Sequence, residues 1–266
     1  MIDLHTHILP GLDDGARDLE ESLAMARLAV EGGVRAVAAT PHLFRGTEDI
    51  LDSRIVNKKH MELEKALKDS GIFLDIYLGA EVHIAHNLIE LIRRHRKQLV
   101  LNGGSYMFVE FPSEHLYRDI RQLFFDVMTE GITPVIAHPE RNAVLARHPE
   151  MLAEFIGTGV YCQVNSGSLL GVYGSVSRDA AWTFLENRCV HFLASDCHGT
   201  QSLPPNLDRA AVMVRKKFGD ETARALVEDN PRAALESRSL PFVPDPVIQE
   251  EKKRSLKIRI PSFLKR

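Results

Sequence analysis

The sequence predicts an α/β fold in which seven β-strands, each followed by helix, wrap into a (β/α)7 barrel. Three observations carry this. Seven short runs of apolar and β-branched residues alternate with longer helical stretches, as parallel β-α units require. The runs are continuously apolar, so both faces of each strand should be buried, which suits a closed or nearly closed barrel better than an open sheet. Residues able to bind metal stand at the C-terminal ends of nearly all the runs, where barrels of this type gather their reactive groups.

The first run, residues 2–5, begins almost at Met1. A strand period of two puts His5 and His7 on one face, and Asp14 follows a Pro10-Gly11 turn. Asp18 is expected to start a helix, with Glu21 completing a capping box. That helix should bury Leu23, Ala26, Leu28 and Val30 and stop at Gly32-Gly33. The second strand, 34–40, ends at Pro41-His42. A polar helix over 48–70 turns Ile55, Leu63 and Leu67 inward, and Gly71 stops it. The third strand, 72–78, ends at Gly79-Ala80-Glu81, and residues 88–92 belong to a short basic helix. The fourth, 106–109, ends at Glu110-Phe111-Pro112, with Ser113 expected to cap a helix that runs to Glu130. The fifth, 132–137, ends at His138-Pro139, and two short helices follow up to Gly157. The sixth, 160–164, ends at Asn165-Ser166-Gly167 and leads to a helix over 176–186. The seventh, 190–194, ends at Ser195-Asp196-Cys197-His198. Helices over 206–218, 221–228 and near 232–235 complete a domain of residues 1–240, and a proline-containing tail of basic and apolar residues fills 241–266.

Bulk properties narrow the function. A chain of 266 residues with 44% apolar content can build a sizeable core. A formal charge of -3 gives no footprint for nucleic acid. No stretch approaches ~18 consecutive apolar residues, so no membrane span is expected. A strand starting at Met1 leaves no room for a secretory leader, and three scattered cysteines argue for a reducing compartment, so the expected location is cytoplasmic.

Six of the seven expected strands finish with a metal-ligand residue type. Together with the first loop they supply His5, His7, Asp14, His42, Glu81, Glu110, His138, Asp196 and His198. So many carboxylates at one end would repel one another without cations. Nine ligands exceed one ion's needs, so two or three ions sharing a bridging carboxylate are expected. The mix of imidazole and carboxylate suits manganese, iron or zinc better than calcium.

Seven motifs then make a resemblance specific: Asp3-Leu4-His5-Thr6-His7 with Asp13-Asp14-Gly15; Ala39-Thr40-Pro41-His42; Gly79-Ala80-Glu81; Val109-Glu110-Phe111-Pro112; Ala137-His138-Pro139-Glu140-Arg141-Asn142; Val164-Asn165-Ser166-Gly167-Ser168-Leu169; and Ala194-Ser195-Asp196-Cys197-His198. The chain resembles the PHP (polymerase and histidinol phosphatase) superfamily and, within it, the bacterial manganese-dependent protein-tyrosine phosphatases of the CpsB/YwqE type. The resemblance implies a distorted seven-stranded, TIM-like barrel with three metal ions. Carried across, His5, His7, Glu81 and Asp196 would hold the first ion. Glu81 would bridge to a second, completed by Glu110 and His138, and Asp14, His42 and His198 would hold the third.

The chemistry so implied is hydrolysis of phosphotyrosine, with in-line attack by a hydroxide held between the first two ions. The implied substrate is the tail of a bacterial tyrosine autokinase that governs capsule or exopolysaccharide synthesis. Arg141, three residues after His138, is the expected bidentate clamp on the phosphate. Relatives often carry a second phosphate-binding arginine shortly after the Asp-x-His motif, but residues 199–205 contain none, and Arg209 is the nearest candidate. A small phosphomonoester such as histidinol phosphate, or a non-catalytic role in binding the phosphorylated tail, are the competing readings. A cysteine mechanism is excluded, because the residues six beyond Cys162, Cys189 and Cys197 are Ser168, Ser195 and Leu203, not arginine. The basic and apolar run 252–266 raises a further expectation, weak contact with an anionic membrane surface or a membrane-anchored kinase.

Overall fold

The computed structural model describes residues 1–44 and 52–247. Among the described residues nine strands are found where seven runs were read: β1 (Ile2–Thr6), β2 (Ala36–Ala39), β3 (His42–Phe44), β4 (Asp75–Leu78), β5 (Glu81–His83), β6 (Tyr106–Glu110), β7 (Thr133–Ala137), β8 (Tyr161–Asn165) and β9 (Phe192–Ala194). All pair in parallel, in two sheets ordered β1-β2-β4 and β3-β5-β6-β7-β8-β9.

Of the expected distorted seven-stranded barrel, the α/β fold with parallel strands is found, but the described residues form two parallel sheets and not one closed seven-stranded ladder. The second and third runs are each followed, after a break, by a further short strand, β3 and β5, where only a strand end was expected. Pro41 lacks the N–H that a continuous ladder needs. Gly79 lies where a Cβ would come within 2.7 Å of Leu101 Cδ2, so only a bare backbone passes there. On the other side the two sheets meet without a full ladder. A single bridge pairs Thr6 with Cys197, flanked by Asp196 N–H to His5 O (2.8 Å) and His7 N–H to Cys197 O (2.9 Å).

Two apolar layers follow from strand alternation. The inner one contains Ile2, Leu4, Tyr106, Phe108, Val135 and Phe192. The outer one takes the opposite parity, including Met107, Val109, Ile136 and Val164, and packs beneath the helices. The C-terminal helix Asn230–Leu235 seals one end of the inner layer with Ala233, Ala234 and Leu235. Hydrogen bonds hold that seal: Tyr106 Oη to Arg238 O (2.7 Å), Asn102 Nδ2 to Leu235 O (3.0 Å) and Asn230 Nδ2 to His191 O (2.9 Å). The opposite end stays polar.

Several local expectations shift. Asp18 caps the helix Leu19–Glu31 through Glu21 N–H, but the Glu21 carboxylate turns to Arg17 instead of closing the box. Its buried face is Ser22, Met25, Ala26 and Ala29, a cleaner i, i+3, i+4, i+7 stripe than the one read, and Leu28 is exposed. In the helix Ser53–Asp69, Val56 faces inward and Ile55 does not. The helix expected from Ser113 begins only at Ile120. No helix among the described residues is long and apolar enough to cross a membrane. Phe242 N–H reaches Asn230 Oδ1 (3.0 Å) and Val247 N–H reaches Asn187 O (2.9 Å), so residues 241–247 lie against the body. The run 252–266, with its expected membrane contact, and the start of the 48–70 helix lie outside the described residues.

Candidate metal centre

The strand breaks position the site. After the turn at Pro41, β3 opens on His42, and after Gly79-Ala80, β5 opens on Glu81. The ladder aligns His42 with Glu81, Glu81 with Phe108 and His83 with Glu110. Ile2 and Leu4 join the inner layer, and the β1 register slips between Asp3 and Thr6. His5 then stacks on Phe108 at 5.0 Å, at the floor of the polar end. His138 and Asp196 follow β7 and β9 with φ of +31° and +53°, a left-handed conformation that side chains other than glycine rarely adopt.

The innermost group is His5, His7, Glu81 and Asp196, all about 1% exposed or less. His5 Nε2 lies 3.2 Å from Glu81 Oε2 and 3.4 Å from Asp196 Oδ1, and His7 Nε2 lies 3.4 Å from each. The two Nε2 atoms are 3.3 Å apart. Their tautomers follow from the network behind them. Asn165 Nδ2 donates to Asp196 Oδ2 (2.6 Å), Gln163 Nε2 donates to Asn165 Oδ1 (2.8 Å), and Gln163 Oε1 is left to accept from His5 Nδ1–H (3.0 Å). His7 Nδ1–H donates to Asp13 Oδ2 (2.7 Å). When the imidazoles are neutral, both Nε2 atoms thus turn lone pairs toward two carboxylate oxygens. Among the described residues Asp196 Oδ1 has no hydrogen-bond partner, although it is buried. Four buried acceptors aimed at one point fit a cation.

Two more groups adjoin. His42, Glu81 and Glu110 converge, with His42 Nδ1 at 3.3 Å from Glu81 and 3.8 Å from Glu110. His138 Nε2 lies 2.7 Å from Glu81 Oε1 and 4.0 Å from Glu110 Oε1. On the other side stand His7, Asp14, His42 and His198, with Asp14 Oδ1 at 3.6 Å from both His42 Nε2 and His198 Nε2. His198 Nδ1–H donates to Asp196 O (2.9 Å), which also leaves its Nε2 lone pair facing the group. Within each group the ligand atoms all lie within 4.8 Å of one another.

The electrostatics point the same way. Burial presses His5 toward neutrality, but Glu81 and Asp196 outweigh it and push its pKa up to about 9. At His7 burial again opposes a raised pKa, but the bond to Asp13 and the nearby Asp196 and Glu81 carboxylates outweigh it and hold the pKa well above its ordinary value. Burial favours protonated Glu81, yet His5 and His138 hold it well below the usual carboxylate range. The pocket demands positive charge, which protons meet when no cation is bound.

A model of the family described as "Capsular polysaccharide synthesis, CpsB/CapC" matches residues 1–236. The chain belongs to the CpsB/CapC family. It is 37% identical over 229 residues to the tyrosine-protein phosphatase YwqE of Bacillus subtilis, covering 86% of this chain and 89% of the relative. It superposes with a TM-score of 0.87 and 35% identity on a structure from a study of YwqE from B. subtilis and CpsB from Streptococcus pneumoniae, described there as unique metal-dependent tyrosine phosphatases. That match covers 94% of this chain and 100% of the other. A histidinol phosphate phosphatase from Lactococcus lactis shares the fold alone, at TM-score 0.53 and 15% identity, covering 82% of this chain and 93% of its own.

In this CpsB/CapC chain all nine residues read from the strand ends and the first loop come together, His138 through its contact with Glu81. Arg141 lies beside them, donating from Nη1 to Asp196 Oδ2 (2.9 Å) with its Cζ 4.6 Å from the centre of the Tyr173 ring. Arg209 does not join them: it is exposed on the helix Leu207–Phe218, and among the described residues no hydrogen bond or ion pair ties it to the cluster. Sequence reasoning named Asp13 and Asn165 within their motifs without giving them a role, and it missed Gln163 and Tyr173. Gln163 and Asn165 had a signal, since two amides at i and i+2 inside an apolar strand place polar groups on one buried face. Cavity size does not mark the site: cavities of about 450 and 530 Å³ elsewhere contain none of these side chains.

Proposed function

We propose that this chain is a metal-dependent protein-tyrosine phosphatase that removes phosphate from the tail of a bacterial tyrosine kinase controlling capsule synthesis. The observation that carries the reading is the set of four buried ligand atoms of His5, His7, Glu81 and Asp196 that converge within 4.8 Å of one another. Membership of the CpsB/CapC family and the likeness to tyrosine phosphatases supply the substrate class.

Three manganese ions are the proposed complement: His5, His7, Glu81 and Asp196 would hold one, Glu81, Glu110 and His138 a second, and Asp14, His42 and His198 a third. Divalent cations there would acidify a water and neutralise charge on the phosphoryl oxygens. Arg141 grips the phosphate with the N–H groups that Asp196 leaves open. A phenolate leaving group, pKa ~10, needs little protonation, which favours an aryl phosphate over a serine ester. The cysteines are poor nucleophiles, because burial raises the Cys189 and Cys197 thiols to about 12 and Cys162 well above its usual value. All three are free thiols, which suits action in the cytoplasm.

The test is manganese-loaded protein offered a phosphotyrosine peptide, a phosphoserine peptide, histidinol phosphate and a 3′-phosphorylated oligonucleotide. Turnover should be greatest for phosphotyrosine and should vanish on chelation. Equal turnover of the phosphoserine peptide, or activity that survives chelation, would reject the reading.

A further inference from the structure

We propose that Tyr173 is a positioning residue, its ring holding the Arg141 guanidinium edge-on to Asp196 so that the remaining N–H groups face the substrate phosphate. The inference rests on the phosphatase reading and adds a residue to it. Arg141 is held on two sides: Nη1 donates to Asp196 Oδ2 at 2.9 Å, and Cζ stands 4.6 Å above the Tyr173 ring centroid, within cation–π range. One of five N–H donors is bound in this way, and the side chain remains 36% exposed.

The single-bond contact with Asp196 is the informative detail. Arginine–carboxylate pairs are frequently bidentate, with both carboxylate oxygens engaged. Here that would draw Asp196 Oδ1 away from His5 and His7, 3.4 Å from each. Asn165 Nδ2 shares Oδ2 at 2.6 Å and fixes the carboxylate. The ring fixes the guanidinium, so the arginine cannot slide onto the second oxygen.

The chain is built to bring the ring there. Val172 N–H bonds Gly167 O at 2.9 Å, which folds the segment back over the helix Ser166–Leu169. A Cβ at Gly167 would stand 3.1 Å from Tyr173 Cε2, so the ring rests on bare backbone. The arginine's own segment is tied to the same place, because Glu140 Oε1 accepts from Asn165 N–H (2.9 Å) and Ser168 Oγ (2.6 Å).

The experiment is a double-mutant cycle of Y173L and R141A, with Y173F as the conservative control. Two readouts use manganese-loaded protein: steady-state kinetics on a phosphotyrosine peptide, and calorimetric binding of inorganic phosphate. The third is the Arg141 Nε–H resonance in zinc-substituted protein, assigned by its loss in R141K. Y173L should raise KM and the phosphate Kd by about fivefold to tenfold, with a smaller effect on kcat. It should add nothing in the R141A background and should shift the Arg141 resonance, and Y173F should retain the wild-type resonance. Losses that multiply in the double variant, or Y173F matching Y173L, would overturn the proposal. So would an Arg141 resonance that Y173L leaves in place. A wild-type protein without phosphotyrosine turnover, but with a ring-shifted Arg141 signal that Y173L abolishes, would overturn the phosphatase reading and leave the positioning role standing.

Discussion

At the scale of single residues, the cluster is oriented by groups that stand outside the proposed ligand set. Gln163 is fully buried and sets the His5 tautomer by accepting from Nδ1, while Asn165 and Asp196 set the orientation of Gln163 in turn. The chain of donors runs in one direction because a carboxylate can only accept. Replacing Gln163 by Leu removes the acceptor and frees the His5 ring to turn. Supporting residues of this kind are worth about 10- to 100-fold in metal affinity. Q163L should therefore weaken manganese binding by about that factor, read by competition against a chelator. Affinity equal to wild type would show that the relay does not govern the ligand.

At the scale of elements, the two strand breaks matter most. Without them, His42 and Glu81 would continue the sheet of β1, β2 and β4 and miss the ladder that reaches Glu110. Leu101, fully buried, stands where a side chain at residue 79 would go. Gly79→Ala puts a Cβ within 2.7 Å of Leu101 Cδ2 and 3.3 Å of Thr40 Cγ2. Overpacking of this kind costs about 1–3 kcal/mol. The urea midpoint should fall accordingly, and manganese content should drop because β5 carries Glu81. A variant as stable as wild type would mean the bend tolerates a side chain. The breaks were hard to foresee, since Thr40-Pro41-His42 and Gly79-Ala80-Glu81 read as strand ends when no partner strand is in view. The same blindness set the phase of the first helix wrongly. Leu28 is more apolar than Ser22, yet Ser22 faces the core and donates to Asp18 O (3.1 Å).

At the scale of the whole molecule, metal, protons and stability are linked. The folded His5 pKa of about 9 lies above its ordinary 6.5, raised by Glu81 and Asp196 against the opposing effect of burial. A raised pKa means that the proton stabilises the metal-free fold fully below pH 6.5, and that this contribution is lost as pH climbs toward 9. A bound cation replaces the proton, so metal-loaded protein should show no such loss. Metal-free protein should lose melting temperature between pH 6.5 and 9, while manganese affinity tightens over the same window as His5 gives up its proton. Parallel pH profiles for the two forms in a thermal scan would refute the linkage.

The sequence by itself determined the β-α alternation, the polar end of the strands and the nine side chains gathered there, because strand period and residue chemistry are local properties. It also supported the family, through seven motifs at matching places. Tertiary structure alone decided that the ladder splits into two sheets, that Arg141 meets Asp196 and Tyr173 while Arg209 stands apart, and that Gln163, itself set by Asn165, orients His5. Each of these depends on a neighbour far along the chain, and only the folded backbone brings such neighbours within hydrogen-bonding distance.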